Sequence, residues 1–162
     1  MKDLQIHFWW MLNKKSQKHM QRVITLSELN FKEGRIPIAA IIIDKDTNKT
    51  IAEAQNEDSP IGHAEIIVIK KALELLHTNR LDNTHMYVTI EPCPMCAYAI
   101  AKTQIGRLYF GCEDKKGGGV INGPRMLNFK NLKKIEFVSH CFNDKTTQLM
   151  QDFFKIKRNQ QL

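Results

Sequence analysis

The sequence has no long hydrophobic run, few cysteines and no internal repeat or low-complexity tract. None of its apolar stretches approaches the ~18 residues of a membrane-spanning helix, so we expect no membrane association. The short apolar stretch near the start is followed by Asn13 and two lysines instead of a small-residue cleavage site, so we predict no signal peptide. Only four cysteines occur. We expect Cys112 and Cys141 to be reduced thiols of a cytoplasmic protein, with a disulfide between them as the alternative.

The composition is that of an ordinary globular domain with an excess of positive charge. Hydrophobic residues make up 43% of the chain and charged residues 25%, and 162 residues are enough for one domain with a sizeable core. The net charge is +7, and residues 115–162 alone hold ten basic and three acidic residues. Such an excess is either a solvated surface or a surface for a polyanion such as nucleic acid, and the charge alone does not separate the two.

Hydrophobic periodicity predicts helices that alternate with strands. We predict helices over residues 17–33, 62–77, 93–103 and 145–158, and strands over residues 36–43, 50–55, 84–90, 107–111 and 134–139. The β-branched run at residues 36–43 is typical of a strand that is buried on both faces. This alternation predicts a three-layer α/β domain.

Two short motifs each open a segment with a helical pattern: His-Ala-Glu at residues 63–65 and Pro-Cys-Pro-Met-Cys at residues 92–96. Cys93 and Cys96, three residues apart, lie on one side of a first helical turn. The partial positive charge at a helix N-terminus favours the thiolates that zinc binds. With His63 they form a two-sulfur, one-nitrogen set, which suits a tetrahedral zinc ion whose fourth position is open to water. Glu65 is close enough to touch that water without binding the metal, so the motifs predict a catalytic zinc site.

A structural zinc knuckle is the alternative for this metal site. Such a site usually recruits a fourth cysteine or histidine, and Glu65 would then have no purpose. His77 and His85 lie outside any ligand spacing, and we expect surface or packing roles for both. The catalytic site is therefore the stronger interpretation.

The order of these motifs resembles that of the zinc-dependent nucleobase deaminases. His-x-Glu at residues 63–65, followed by Pro-Cys-x-x-Cys at residues 92–96, is the arrangement that this class uses. Over residues 20–158 the chain more narrowly resembles the bacterial tRNA adenosine deaminase family. Further matching stretches are residues 34–38 (Gly-Arg-Ile-Pro-Ile), 87–97, 105–107 (Ile-Gly-Arg) and the aromatic and basic segment 152–158 (Asp-Phe-Phe-Lys-Ile-Lys-Arg).

The resemblance implies a cytidine deaminase-like fold, a three-layer α/β/α domain with a central mixed sheet of about five strands flanked by helices. It implies a single zinc-dependent deaminase domain over residues 18–162, preceded by an N-terminal extension of uncertain order at residues 1–17. Because relatives are homodimers in which both subunits shape the RNA site, a homodimer is expected.

The activity that the resemblance implies is hydrolytic deamination of adenosine to inosine at the wobble position of a tRNA anticodon, by a cytoplasmic enzyme. One zinc ion per subunit would be held by His63, Cys93 and Cys96, and the substrate partner would be the anticodon arm. Glu65 would take a proton from water, pass it to a ring nitrogen of adenine and later protonate the leaving ammonia.

The resemblance also implies residues that contact the substrate. Asn56 and backbone groups near Ala64 would orient the base. The residues that would contact RNA are Asp114, Phe153, Phe154, Lys157 and Arg158. Each has a plainer alternative, because Asp114 could be a surface turn residue, the two aromatic side chains could anchor the last helix, and the cations could be solvated. Two adjacent residues point in different directions on a helix, so one phenylalanine can pack while the other stays near the RNA.

Two other functions remain open at the level of sequence. A small-molecule deaminase that acts on guanine, cytosine or cytidine shares the zinc chemistry, but it would show no salt-dependent affinity for RNA. A non-catalytic RNA-binding module with a structural zinc would bind RNA without turnover. The tRNA-editing deaminase is favoured, because the zinc motifs, the basic C-terminal third and the segment 153–158 all support it.

Overall fold

The computed structural model describes residues 5–6 and 12–160, with a six-stranded mixed sheet between two layers of helices. The elements along the chain are β1 (Gln5–Ile6), α1 (Lys14–Lys32), β2 (Ala39–Asp44), β3 (Thr50–Gln55), α2 (Ala64–Leu75), β4 (Thr84–Ile90), α3 (Pro94–Lys102), β5 (Arg107–Cys112), β6 (Glu136–Val138) and α4 (Asn143–Gln160). A single 3-10 turn, Met126–Asn128, lies between β5 and β6 in this described part. The predicted α/β/α architecture is confirmed, and its five predicted strands correspond to β2 through β6.

The direction of the strands determines where the chain can build a site. The strand order is β1-β6-β5-β4-β2-β3, and β2 runs antiparallel to both β3 and β4, while β4 is parallel to β5. Strands β3, β4 and β5 therefore run in the same direction and end at the same edge of the sheet. The chain leaves that edge at Asn56, Glu91 and Glu113. Ligand sites in α/β sheets typically lie outside the carboxyl ends of strands, so this edge is the expected location of a site.

The two faces of the sheet pack against different helices. Strand β2 shows this division, since Ala40 and Ile42 pack on the side of α2 and α3, whereas Ala39, Ile41 and Ile43 pack on the side of α1. All five side chains are buried, so the predicted burial of this strand on both faces is confirmed. Helix α4 lies on the same face as α1 and contacts both α1 and β5.

Helix α1 begins earlier than the periodicity predicts. Asn13 is its N-cap, and the Oδ1 atom of Asn13 accepts a hydrogen bond from the N–H of Ser16 at 2.9 Å. Residues 14–17 are therefore helical, and α1 begins three residues before the predicted start at residue 17. Residues 1–4 and 7–11 lie outside the described residues. The helix ends as predicted, because Gly34 adopts a positive φ of 75° just beyond it.

Two strands also differ from the prediction. The pairing of Gln5–Ile6 with Phe137 and Val138 of β6 adds a parallel edge strand that the sequence patterns did not indicate. Strand β2 begins at Ala39 and not at residue 36, because Pro37 has no N–H and the N–H of Ile38 donates to the Ile36 carbonyl at 2.8 Å. Of the helices in the described ranges, none has the length and apolar character needed to cross a membrane.

Candidate active site

Three potential metal ligands converge beside the ends of β3 and β4. His63 is the N-cap of α2, Cys93 is the N-cap of α3, and Cys96 lies in the first turn of α3. The Nδ1 atom of His63 is 3.6 Å from the Sγ atom of Cys93 and 3.5 Å from the Sγ atom of Cys96. The three donor atoms all lie within 4.8 Å of one another, so this group could hold a metal ion. The structure thus brings together the three residues that the sequence motifs predict as ligands.

The donor distances fit metal coordination. A tetrahedral zinc ion with bonds of about 2.3 Å to sulfur and about 2.0 Å to nitrogen requires nitrogen–sulfur separations of about 3.5 Å. The His63 Nδ1 atom has this separation from both thiol sulfurs. Thiolate and imidazole are also the donor types that zinc prefers, and three protein ligands are the number found in catalytic zinc sites. The residues therefore fit a catalytic zinc ion.

The two thiols of the group influence each other strongly. A side-chain hydrogen bond from Cys96 lowers the pKa of the Cys93 thiol to about 5, and the backbone N–H groups of Cys96 and Met95 act in the same direction. The same bond to Cys93 raises the pKa of the Cys96 thiol, as do burial and the nearby Glu65 carboxyl. The lowered pKa of Cys93 favours the thiolate form that zinc binds.

Glu65 is buried directly against this group. It lies in the first turn of α2 and is only 3% exposed. Burial raises the pKa of its carboxyl to about 7, and the effect of this carboxyl on the Cys96 thiol shows that the two groups are close. A carboxyl with such a pKa can take up and release a proton near neutral pH. Glu65 is therefore placed to move protons beside the metal-binding group.

Asn56 joins the end of β3 to the start of α2. Its Oδ1 atom accepts a hydrogen bond from the N–H of Ala64 at 2.7 Å, which satisfies one of the N–H groups left unpaired at a helix start. The Asn56 carbonyl in turn accepts from the side chain of Asn30 at 3.1 Å. Within the described residues, the amide nitrogen of Asn56 has no hydrogen-bond partner. The Ala64 N–H is thus engaged within the chain, and Asn56 retains two N–H donors for a substrate.

A second buried carboxylate lies beside the metal-binding group and was not identified from the sequence. Glu91 directly precedes Pro92 and is only 1% exposed. It accepts hydrogen bonds from the backbone N–H groups of Asp114, Val120, Ile121 and Asn122 and from the side-chain amide of Asn122. Its signal in the sequence is weak, since it is only a charged residue between an apolar strand and the cysteine motif.

The residues predicted to contact RNA lie in two other places. Asp114 begins the loop after β5, and its Oδ1 atom accepts hydrogen bonds from the N–H groups of Lys116 and Gly117 at 3.1 and 2.9 Å, which is a turn-forming arrangement. The other four belong to α4, on the opposite face of the sheet from α2 and α3: Phe153, Phe154, Lys157 and Arg158. The structure therefore does not bring these four residues into the metal-binding group.

Phe153 and Phe154 have different environments. Phe153 is buried and packs edge to face on Phe31 of α1, with ring centroids 6.2 Å apart, and the Nζ atom of Lys157 lies 5.5 Å from the centroid of its ring. Phe154 is 44% exposed, and Arg158 is also exposed. Phe153 thus anchors α4 to α1, while Phe154 is accessible to a partner.

Comparison with known proteins places this fold and site among the deaminases: the chain belongs to the MafB19-like deaminase family, whose model matches residues 14–158. Within that class it belongs with the tRNA-specific adenosine deaminases. It is 34% identical to the tRNA-specific adenosine deaminase of Rickettsia bellii over 141 residues, which cover 84% of this chain and 97% of the relative. It is also 34% identical to the corresponding protein of Aquifex aeolicus, over 80% of this chain and 87% of that relative.

Solved structures of deaminases also resemble this chain. A structure from a study of A-to-I editing by tRNA:A34 deaminases at the wobble position of transfer RNA has a TM-score of 0.75 at 32% identity, covering 82% of this chain and 98% of that chain. Guanine deaminase from Bacillus subtilis has a TM-score of 0.56 at 31% identity, over 63% of this chain and 66% of that chain. The family and the fold that the sequence motifs indicate are therefore confirmed.

Proposed function

We propose that the protein is a hydrolase that deaminates adenosine to inosine at the wobble position of a tRNA anticodon. The observation that carries the proposal is the group of His63, Cys93 and Cys96 with Glu65 buried against it. This group occurs in a chain that is 34% identical to a tRNA-specific adenosine deaminase over 97% of that relative's length, whereas the similarity to the guanine deaminase of Bacillus subtilis covers 66% of that chain.

The proposed chemistry divides between the metal ligands and one carboxyl. His63, Cys93 and Cys96 would hold one zinc ion, which when bound supplies Lewis-acid activation of water at neutral pH. Glu65 takes a proton from the attacking water at its carboxylate and delivers it to a ring nitrogen of adenine. It then takes the remaining proton from the new hydroxyl on C6 and passes it to the leaving amino group, so that inosine and ammonia are released. A positioned carboxyl that makes such transfers typically contributes about 100- to 10,000-fold to the rate.

We assign the contact with the base to Asn56, and we assign to Ala64 the role of orienting the Asn56 side chain. The 2.7 Å hydrogen bond between them fixes the Asn56 carboxamide, so that its amide nitrogen can donate to the nucleotide. Ala64 acts by holding this orientation at the start of α2. The adenine must leave its stack to reach these groups, and this costs little in a single-stranded anticodon loop.

The basic C-terminal part of the chain is the proposed surface for the anticodon arm. Lys157 and Arg158 would contact phosphates, and the exposed Phe154 would stack on a base. Phe153 supports these contacts by anchoring α4. Asp114 lies on the loop next to Glu91 and would border the nucleotide.

We also propose that the protein is a homodimer in the cytoplasm, where a tRNA substrate is found. Four large apolar side chains on the segments that carry the metal ligands or on the loop beyond β5 are exposed: Ile61, Met95, Tyr98 and Phe129. Tyr98 and Phe129 contact each other edge to face, with ring centroids 6.1 Å apart. Exposed apolar surface of this kind is typical of interfaces, and sedimentation of the purified protein measures the oligomeric state directly.

A panel of substrates tests the proposed function. The purified, zinc-loaded protein is incubated with total tRNA and, in parallel, with free adenosine, guanine, cytosine and cytidine, and inosine and ammonia are measured. Inosine in tRNA, with no ammonia from the free compounds, is the expected result. Ammonia from guanine with unchanged tRNA would favour the second candidate, a guanine deaminase, which the similarity to the Bacillus subtilis enzyme suggests. Binding of tRNA without any product would indicate a non-catalytic module with a structural zinc.

A further inference from the structure

We propose that Glu91 is a positioning residue: its buried carboxylate fastens both ends of the loop 114–122 against the start of α3 and thereby fixes the loop's exposed lysines beside the metal-binding group. The kinetic part of this inference rests on the proposed function, because it requires a tRNA substrate. Glu91 acts through the loop and not on the reacting atoms.

Both oxygens of the Glu91 carboxylate are occupied by donors from this single loop. Oε1 accepts from the N–H groups of Val120, Ile121 and Asn122 at 3.1, 2.8 and 2.9 Å. Oε2 accepts from the N–H of Asp114 at 3.1 Å and from the Nδ2 atom of Asn122 at 2.7 Å. A charged acceptor forms stronger hydrogen bonds than a neutral one. The five bonds therefore hold the beginning and the end of the loop at one point, just beyond the last residue of β4.

The loop lies directly on the residues around Cys93. The N–H of Gly119 donates to the Pro92 carbonyl at 2.8 Å. A Cβ atom at Gly119 would lie 2.5 Å from the backbone nitrogen of Pro94, and one at Gly118 would lie 2.5 Å from the Cδ atom of Glu91. Neither glycine has room for a side chain, so both permit a close approach of the two backbones. The position of the loop is thus set against the metal-binding end of α3.

Between its anchored ends, the loop presents positive charge to solvent. Lys115 and Lys116 are exposed, whereas residues 118–120 are buried. If the ends of the loop were released, these lysines would lose their fixed position relative to Cys93. Prior ordering of a binding loop reduces the entropy that is lost when a ligand binds, so the anchor is expected to strengthen binding of the polyanionic substrate.

Asn122 provides a second and milder way to weaken the anchor. Its Nδ2 atom donates to Glu91 and also lies 3.3 Å from the Oε2 atom of Glu113, whose other oxygen pairs with His140 at 2.9 Å. Asn122→Ala removes one of the five hydrogen bonds to Glu91 and leaves the carboxylate and the four backbone donors in place.

Two substitutions at Glu91 test the length and the charge of its side chain separately. Glu91→Gln keeps the length of the side chain, but it turns one acceptor into a donor that faces other N–H groups. Glu91→Asp keeps the charge, but the shorter side chain does not reach all five donors. If the anchor matters, both variants release the loop. Glu136→Gln, at a carboxylate of β6 that is 53% exposed and paired with Arg107, is the matched control.

Hydrogen exchange, zinc content and steady-state kinetics on tRNA are measured for each variant. We expect the amides of residues 114–122 to exchange about 10-fold faster in both Glu91 variants. We expect KM for tRNA to rise about 10-fold in these variants, with kcat changed less than about threefold and one zinc ion retained per chain. Asn122→Ala should show the same pattern with a rise in KM of about threefold, and Glu136→Gln should match the wild type.

Unchanged exchange of the loop amides in the Glu91 variants overturns the proposal, and so does faster exchange with an unchanged KM. A joint loss of zinc and kcat at unchanged KM also overturns it, because Glu91 would then act on the metal ligands. If neither Glu91 variant folds, Asn122→Ala is used in their place, and unchanged loop exchange or an unchanged KM in that variant overturns the proposal. Hydrogen exchange needs no substrate, so it tests the anchor even if the wild-type protein is inactive on tRNA. A failure of the Glu91 anchor can therefore be distinguished from a failure of the proposed function.

Discussion

The Oδ1 atom of Asn56 accepts a hydrogen bond from the N–H of Ala64 across 2.7 Å, and this contact ties the end of β3 to the first residue of α2. Ala64 lies between His63 and Glu65, so the bond fixes the helix start that carries a proposed metal ligand and the proposed proton carrier. The amide nitrogen of the same side chain remains available to a substrate. Asn56 therefore has a structural role and a proposed chemical role, which substitutions can separate.

Asn56→Ala is expected to lower both stability and activity, whereas Asn56→Asp is expected to lower activity with a smaller effect on stability. Alanine leaves the buried N–H of Ala64 without its partner, which costs about 1–3 kcal/mol in the free energy of unfolding. Aspartate keeps an oxygen acceptor but has no amide donor. Denaturant unfolding and inosine formation are measured on the same preparations. Wild-type activity of Asn56→Asp would contradict the proposed contact with the base.

Cys96→Ala is expected to abolish zinc binding. The Cys96 side chain is fully buried and supplies one of the three donor atoms, and two protein ligands are fewer than zinc sites require. Because the metal would join the starts of α2 and α3, its loss is also expected to lower the Tm. Cys141→Ala removes a buried thiol outside the group and should retain one zinc ion per chain. A Cys96→Ala protein with wild-type zinc content would show that the ligand assignment is wrong.

Phe153→Ala is expected to act mainly on stability, and Phe154→Ala mainly on tRNA binding. Removal of the buried Phe153 ring from Phe31 should cost about 3 kcal/mol in the free energy of unfolding. Removal of the Phe154 ring, which is 44% exposed and packs edge to face on Phe153 with ring centroids 5.4 Å apart, should cost only about 1 kcal/mol. Loss of a stacking platform should nevertheless weaken tRNA binding about 10-fold. Denaturant unfolding measures the stability of both variants, and titration with tRNA measures their affinity. Unchanged affinity in Phe154→Ala would argue against a role of Phe154 in binding RNA.

Arg158→Ala is expected to reduce the salt dependence of tRNA binding. A cation that contacts a phosphate releases bound counterions, so its loss should reduce the slope of log K against log salt by about 0.7 to 1. Arg80→Ala is the control, because Arg80 is an exposed cation that pairs with Asp82 at 3.6 Å outside the basic C-terminal part of the chain. Affinities are measured at several salt concentrations. Equal slopes for Arg158→Ala and the wild type would indicate that Arg158 is only solvated.

Local patterns in the sequence predict most elements and the metal-binding group. His63, Cys93 and Cys96 can be predicted because each lies at the start of a segment with a helical pattern and because few residue types bind zinc. The predicted bounds of the helices and strands are less accurate. The cap at Asn13 is a local signal that was missed, and Pro37 excludes ladder pairing before Ala39 although the β-branched pattern continues through it.

Contacts between residues that are far apart in the sequence could not be predicted from local patterns. The donors to Glu91 are separated from it by 23 to 31 residues, and they meet it only because the loop after β5 folds back onto α3. The spacing of hydrophobic residues carries no information about how this loop folds back. The bond between Asn56 and Ala64 spans eight residues and likewise depends on where β3 ends relative to α2.

The most direct test of the proposed function compares zinc-loaded wild-type protein with Glu65→Gln on a tRNA that carries adenosine at the wobble position. The amide of glutamine cannot carry the proton, while His63, Cys93 and Cys96 are unchanged. Inosine at each position of the tRNA, zinc content and tRNA affinity are measured for both proteins. We expect inosine at the wobble position with the wild type alone, and equal zinc content and affinity for the two proteins. Inosine formed at an undiminished rate by Glu65→Gln, or no inosine with either protein, would contradict the proposal.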